Sequence, residues 1–433
     1  MKRINKIALA LAVIVVFGMA ACKKNFQDPS RATEDKVFTT IRGLNAVAVG
    51  LQRTYTLGRG SSLYNKITAD GFLTNQFIIV NRGNTPEDQL ERGGGAVDGT
   101  NTIMAGLWTN SNKIIYDADN VINAAKGLAD KTYASGLIGY CTIFKALAIG
   151  DMAMFWEKIP AGIGTNITFI PRAEGFTKAI VIIDEALAAI AASPISTSFT
   201  INVPTGIDVV NTLQALKARY ALFVGDYPKA LAAANLVSPA VKSFFNFDAI
   251  SVNPIFETAT ATNNVFEPID STLGLLGALK PDLADKRVPF YTRISTTGGS
   301  RFRTLGFAAA TTTQFPIYLS GEIILIRAEA LARQTTPDLA GAQALVNSIL
   351  TKTAATDPFG VGAQLPAIVG QLNQADLLLQ IYRNRCIELY MSGLKLEDMR
   401  RFGRPDSEKR RNLLPYPFRE RDNNPNTPAD PTF

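Results

Sequence analysis

The segment NTLQALKARYALFVGDYPKALAAANLV, Asn211 to Val237, decides the fold. Leu213, Leu216, Tyr220 and Phe223 recur at the three- and four-residue spacing that places apolar side chains on one face of a helix. Gly225, Asp226 and Tyr227 interrupt the pattern, and Pro228 opens a second helix at a position where its missing N–H leaves no bond unmade. The result is a helix hairpin of tetratricopeptide type, a unit that buries its apolar face only by stacking on neighbours of the same kind.

Outward from that hairpin the neighbours are legible. Toward the C-terminus, Leu319, Ile323, Ile326 and Ala330 face one way, and Pro337 and Asp338 start a further helix running to about Thr351. A last long helix spans about Asp376 to Met391, with Leu379, Tyr382, Cys386 and Leu389 as its buried stripe and Arg385 and Glu388 spaced to pair on its flank. Toward the N-terminus, helical periodicity covers Thr39 to Tyr55, Ile114 to Ala125, Leu137 to Phe155 and Ala179 to Ala192. Thr56 to Thr102, rich in glycine, asparagine and threonine, reads as long surface loops; its glycines lack the Gly-Lys-Ser/Thr ending of a phosphate loop. Ser238 to Pro316 is irregular with β-like stretches such as Phe302 to Phe307, and Leu413 to Pro417 and Asn423 to Pro431 read as extended surface chain. The fold class is therefore mainly α: helical-repeat hairpins with long irregular loops and a few short strands.

The first residues form an address. Lys2, Arg3 and Lys6 precede an apolar run, Ile7 to Met19, of about 13 residues, shorter than the ~20 a membrane-spanning helix needs, so 1–21 reads as a signal peptide. Ala20 and Ala21 directly before Cys22 resemble a bacterial lipoprotein box, in which the thiol takes the diacylglyceryl group and small residues admit the peptidase. Acyl chains on Cys22 would hold the protein at a membrane through a short tether, 22–30, and no later stretch reads as a span.

Composition closes several routes. The formal charge of +7, lower by three once Lys2, Arg3 and Lys6 leave, is too mild to argue for nucleic acid. The basic tail from Arg400 to Arg421 is interrupted by Asp406, Glu408 and Glu420 and reads as a solvated mixed-charge surface. Histidine is absent, which removes imidazole-based triads and nearly all zinc hydrolase sites. Cys141 and Cys386 lie among apolar neighbours as small hydrophobes without zinc-site spacing, so no cofactor and no metal are expected.

Several segments together resemble the SusD/RagB family of outer-membrane lipoproteins from Bacteroidetes. Ile381-Tyr-Arg-Asn-Arg-Cys-Ile-Glu388-Leu-Tyr-Met-Ser-Gly393-Leu-Lys-Leu-Glu-Asp398-Met-Arg400-Arg401-Phe-Gly403 is similar to the family signature of a glutamate-leucine, a glycine, and an aspartate followed by arginines. Arg327-Ala-Glu329-Ala resembles its Arg-Ala-Glu-Ala helix, Pro415-Tyr-Pro417 with Glu420 and Asn424-Pro425 its closing segment, and Trp108 to Asn120 its tryptophan-to-asparagine helix. The resemblance spans nearly the whole mature chain, divided as an N-terminal region, 31–250, and a C-terminal region, 251–433. Asn384-Arg385 departs from the common Glu-Arg, and Lys23 and Lys24 follow Cys22 where the family often carries an acidic export signal.

The resemblance implies a surface-exposed lipoprotein of the cell outer membrane that caps a TonB-dependent, SusC-like barrel, captures a glycan and hands it on. Its only membrane contact would be the lipid anchor; a peptide cargo or a helical-repeat scaffold are the alternative readings. Carbohydrate rings stack on aromatic faces while amides and carboxylates serve their hydroxyls. Tyr64, Asp70, Phe72, Asn75, Phe77 and Arg82, with Trp108 or Trp156 nearby, supply these types and are the candidate ligand residues. Arg327, Glu329, Glu388, Gly393, Asp398, Arg400 and Arg401 are expected to be a structural network, because a motif shared by members with different ligands marks the family rather than the cargo. Glycoside hydrolysis needs two carboxylates flanking one bond; Asp184 with Glu185, and Glu397 with Asp398, are sequence neighbours on helices whose side chains diverge, so no enzyme activity is expected.

Overall fold

The structure, a computed structural model, describes residues 37–261, 264–296 and 301–433. The leader, Cys22 and the tether lie outside the described residues. The longer helices are α1 Ile41–Thr56, α2 Ser62–Leu73, α3 Thr85–Arg92, α4 Thr102–Lys126, α5 Lys131–Phe155, α6 Arg172–Ala192, α7 Val209–Phe223 and α8 Tyr227–Asn235. Beyond the irregular middle come α9 Ser320–Arg333, α10 Leu339–Thr351, α11 Gln374–Glu388, and the short α12 Lys395–Arg401 and α13 Phe418–Asn423.

Stacked hairpins form the framework: α4 packs on α5, α5 on α6, α6 on α7, α7 on α8, α8 on α9, and α9 on both α10 and α11. The deciding hairpin shows why. Asp208 caps α7 by accepting the Asn211 N–H at 2.9 Å, and Leu213, Leu216, Tyr220 and Phe223 are buried. Gly225 at φ +79° ends the helix with Gly225 N–H donated to Leu222 and Asp226 N–H to Ala221, and the Asp226 carboxylate then caps α8.

Four two-stranded antiparallel ribbons decorate this framework: β1 Phe77–Ile79 with β5 Phe266–Pro268, β2 Lys158–Pro160 with β3 Phe169–Pro171, β4 Phe244–Phe245 with β8 Phe315–Pro316, and β6 Thr292–Ser295 with β7 Arg301–Thr304. The first joins chain segments far apart in sequence, with Phe77 opposite Pro268.

Four sequence expectations are corrected. The stretch 56–102 is not loop throughout: it holds α2, buried on every side, and α3. In α11, Leu379 is exposed while Leu377 and Ile381 are buried, and the helix ends at Glu388. Helix α5 is long and apolar enough to cross a membrane, but here it is wrapped by α4, α6, α7 and α1 as the central core helix. The 400–421 tail is not uniformly solvated: Arg400 and Arg401 are largely buried beneath other elements, and Lys409 and Arg411 are buried.

Those arginines belong to a set of buried ion pairs that join the signature to the rest of the chain. Arg385 donates to Asp398 at 2.9 Å, and Arg401 bridges Asp398 at 2.6 Å and Glu329, which also pairs with Arg333. Glu397 faces the other way, to Arg400 at 2.7 Å and to Arg172. Glu388 does not pair with Arg385; its carboxylate takes Arg287 at 3.3 Å and Lys352, which also pairs with Asp357 at 2.8 Å. Gly393, at φ +73°, lies against the buried Lys66 side chain, which pairs with Asp151 at 2.9 Å. Buried charges left unpaired are expensive, so these residues hold elements together. Arg327 is the exception, half-buried and without an ion-pair partner among the described residues. Cys141 and Cys386 are free and buried.

Candidate functional site

Size separates the voids. A cavity of about 30 Å³ lies enclosed in the core beside Tyr55, Lys66 and Arg219, with room only for water. An open cleft of about 990 Å³ is large enough for several sugar or amino-acid residues, while two other voids measure about 380 and 310 Å³.

Three elements distant in sequence build the large cleft: the first turns of α4 with Gly99 and Thr100 before it, the β2–β3 loop around Gly162–Ile167, and α13. The Phe418 N–H donates to the Gly99 carbonyl at 3.1 Å and its ring lies across Gly99, where a Cβ would come within 2.6 Å of it. Glycine is thus what lets this ring seat. Phe418 remains 47% exposed, with ring surface open to solvent.

Trp108 forms the floor. Its ring meets Trp156 edge-on at 4.9 Å, Tyr416 edge-on at 5.7 Å, and Phe169 in a stack at 6.2 Å, and its indole N–H donates to Glu420 at 3.0 Å. The other Glu420 oxygen accepts from the Asn424 amide at 2.9 Å. The same amide donates to the Ile167 carbonyl at 3.0 Å, and Asn426 donates to the Asn166 carbonyl at 2.7 Å, so the C-terminal asparagines staple the β2–β3 loop in place. Asn166 takes the left-handed φ of +53° that asparagine tolerates best after glycine.

Asn110 and Asn112 donate through their amide nitrogens to the Gly60 and Trp108 carbonyls, at 2.7 and 3.0 Å. Their amide oxygens accept from no protein group among the described residues. Under the floor, burial pushes the Tyr416 hydroxyl up to about 12, keeping it a donor, to the Lys158 carbonyl at 3.1 Å. The cleft thus offers one ring face, free carboxamide oxygens, hydroxyls and backbone amides. It contains a single carboxylate, Glu420, and so lacks the paired acids of glycoside hydrolysis.

The sequence-proposed ligand residues mostly lie elsewhere. Tyr64, Phe72 and Phe77 are core rings: Tyr64 donates to Glu87 at 2.7 Å, and Phe77 stacks on Phe266 at 4.6 Å. Their ring faces are covered by protein, so no solvent-borne sugar reaches them. Asp70 is buried and accepts the Leu396 N–H at 2.7 Å; burial pushes its carboxyl up to about 6 against the pull of that N–H and of Lys395. Asn75 donates to the Glu408 carbonyl at 2.9 Å, and Arg82 pairs with Asp88 and with Glu91 at 2.9 Å on the surface. Trp108 alone borders the large cleft, and as its buried floor. Trp156 is fully buried, its indole donating to the Pro415 carbonyl at 2.9 Å. Phe418, Arg419, Asn110, Asn112 and the 162–167 loop escaped the sequence reading; the one available signal was an unpatterned phenylalanine directly after Pro415-Tyr-Pro417.

Residues 308–430 match the model of the SusD family. No curated protein matches the chain. Among solved structures it is similar to a SusD superfamily protein from Bacteroides vulgatus ATCC 8482 (12% identity, 92% of this chain and 100% of that one, TM-score 0.70). It is similar too to a SusD-like carbohydrate-binding protein from Bacteroides fragilis NCTC 9343 (12%, 90% and 100%, TM-score 0.70) and to a laminarin-binding SusD-like protein (13%, 93% and 100%, TM-score 0.66).

Proposed function

We propose, from the match of residues 308–430 to the SusD family model and the SusD-like fold of the described residues, that the chain captures an oligosaccharide in the large cleft and passes it to a TonB-dependent, SusC-like transporter. In this reading Cys22 carries the lipid that anchors the protein at the cell outer membrane, and the cleft faces outward.

One observation carries the glycan assignment: a half-exposed aromatic ring, Phe418, is fixed beside uncommitted carboxamide oxygens and hydroxyls. A pyranose presents a C–H face that stacks on such a ring and hydroxyls that need these partners. The carbohydrate-binding and laminarin-binding neighbours support it. Nothing in the cleft needs to change protonation, so binding proceeds without turnover.

The test is a panel of oligosaccharides titrated calorimetrically into the mature protein and into Phe418→Ala. About half the ring is open; covering roughly 100 Å² at about 25 cal/mol per Å² corresponds to about 2.5 kcal/mol as an upper value. Phe418→Ala is expected to weaken the best ligand by about 10- to 50-fold without releasing any cleavage product. No binding by any member of the panel, or cleavage of one, would overturn the assignment.

Peptide cargo is the second reading. It is favoured by the cleft's having one exposed aromatic ring among many asparagines, glycines and backbone groups. Peptides retained through purification in place of sugars would select it.

A further inference from the structure

Two charged side chains line the large cleft, Arg419 and Glu420, and they differ in one decisive respect. Both Glu420 oxygens are taken, one by the Trp108 indole at 3.0 Å and the other by the Asn424 amide at 2.9 Å. Arg419 is exposed, and its guanidinium has no ion pair, hydrogen bond or ring contact among the described residues; only its backbone carbonyl is engaged, by Asn423. Arg421, two positions on, behaves otherwise and pairs with Asp430 at 2.6 Å. The cleft therefore contains one carboxylate whose two oxygens are taken by neutral donors and one cation with no partner, and the cation is the charged group left free to bond a ligand.

A guanidinium presents two parallel N–H groups whose spacing fits a planar carboxylate. Arg419 follows Phe418 on α13 and both border the cleft, so an oligomer that lies along the cleft with one ring on Phe418 can meet this cation through another of its residues. In a hexuronic acid the carboxylate projects from the ring edge at C5, while a neutral hexose carries a hydroxymethyl group there. We infer that the cleft selects acidic oligosaccharides, with Arg419 as the contact for a uronic-acid carboxylate. This rests on the glycan reading of the cleft and adds a charge preference to it. An acidic peptide would offer carboxylates as well, but its carboxylate-bearing residues have no C–H ring face to lay on Phe418.

The experiment compares tetragalacturonate with its carboxyl-reduced, neutral counterpart of equal length, each titrated into the mature protein, Arg419→Gln, Arg419→Lys and Phe418→Ala. A charge-assisted bidentate contact corresponds to a roughly 10- to 100-fold preference for the acid. Arg419→Gln is expected to abolish that preference, and Arg419→Lys to restore part of it by charge without the fork. Phe418→Ala weakens both sugars. The acid's affinity falls between 50 and 500 mM salt in the wild type and stays level in Arg419→Gln. Unchanged melting of Arg419→Gln confirms that the fold is intact. Equal binding of the two sugars, with Phe418→Ala weakening both, overturns the inference and leaves the glycan reading standing. Failure of both sugars and of the wider panel overturns the glycan reading as well. Binding of a poly-glutamate peptide, lost in Arg419→Gln while neither sugar binds, overturns the sugar class in favour of peptide.

Discussion

Removal of Lys352 tests whether the signature glutamate is a structural anchor. Lys352 lies between two buried carboxylates, Glu388 and Asp357, and beyond Glu388 Arg287 pairs with Asp285 at 2.7 Å. The cluster has three acids and two bases, a net charge of −1. Burial opposes the Lys352 charge, yet Glu388 and Asp357 hold its ammonium above the ordinary range. Against its own burial, Asp357 is held low by Lys352. Lys352→Met leaves three carboxylates facing one guanidinium. Breaking such a pair costs about 3–5 kcal/mol. Glu388→Gln leaves a neutral cluster in which Arg287 keeps Asp285 and Lys352 keeps Asp357, so the loss is that of charge-assisted bonds, about 1.5–3 kcal/mol. Equilibrium urea unfolding measures both. Because Lys352 holds the Asp357 carboxyl low against its burial, removing it lets that carboxyl rise, and the stability its depressed value contributes above the unfolded value is lost, so the deficit of Lys352→Met against wild type is larger at about pH 7 than at about pH 4. A Lys352→Met cost below about 1 kcal/mol, or a Glu388→Gln cost exceeding it, would refute the network argument.

Gly393→Ala should lose about 2–4 kcal/mol in the same assay, because φ is +73° and the new Cβ would come within 2.7 Å of the Lys66 side chain, itself held by Asp151; a neutral substitution would mean the signature glycine has no packing role. Asp70→Asn is expected to gain on wild type as pH rises. The folded carboxyl, raised from 3.8 to about 6, holds its proton longer than the unfolded one, so wild type loses on the order of 3 kcal/mol between pH 4 and 7 that the amide does not. Parallel stability profiles for the two proteins would contradict this.

Local order was legible in the sequence where it is made locally. The 211–237 hairpin depends on a capping aspartate, a glycine in the left-handed region and an apolar period, all within one segment. Helix α2 shows the opposite case. Buried on every side, it has no polar face and hence no amphipathic period. Its Lys66 and Asp70 are satisfied by Asp151 and Leu396, partners that no local pattern announces. The same holds for Glu388, whose i−3 neighbour Arg385 looked like its mate while Arg287 and Lys352, both distant, take its carboxylate. The cleft was illegible for the same reason, since residues near 100–112, 160–167 and 417–424 converge only in three dimensions. The aromatic residues of the 64–82 stretch, Tyr64, Phe72 and Phe77, are rings of the core. The half-exposed ring stands instead in α13, directly after Leu413 to Pro417, one of the two tail stretches that read as extended chain.

The central claim is that the large cleft holds a polymer and turns nothing over. A crystal structure of the mature protein with the tightest ligand of the panel, paired with chromatography of that ligand after prolonged incubation, tests it most directly. The account predicts an intact sugar with one ring over Phe418 and its polar edge toward Asn110, Asn112 and Arg419. A ligand seated elsewhere on the molecule, or a shortened one recovered from solution, would contradict it.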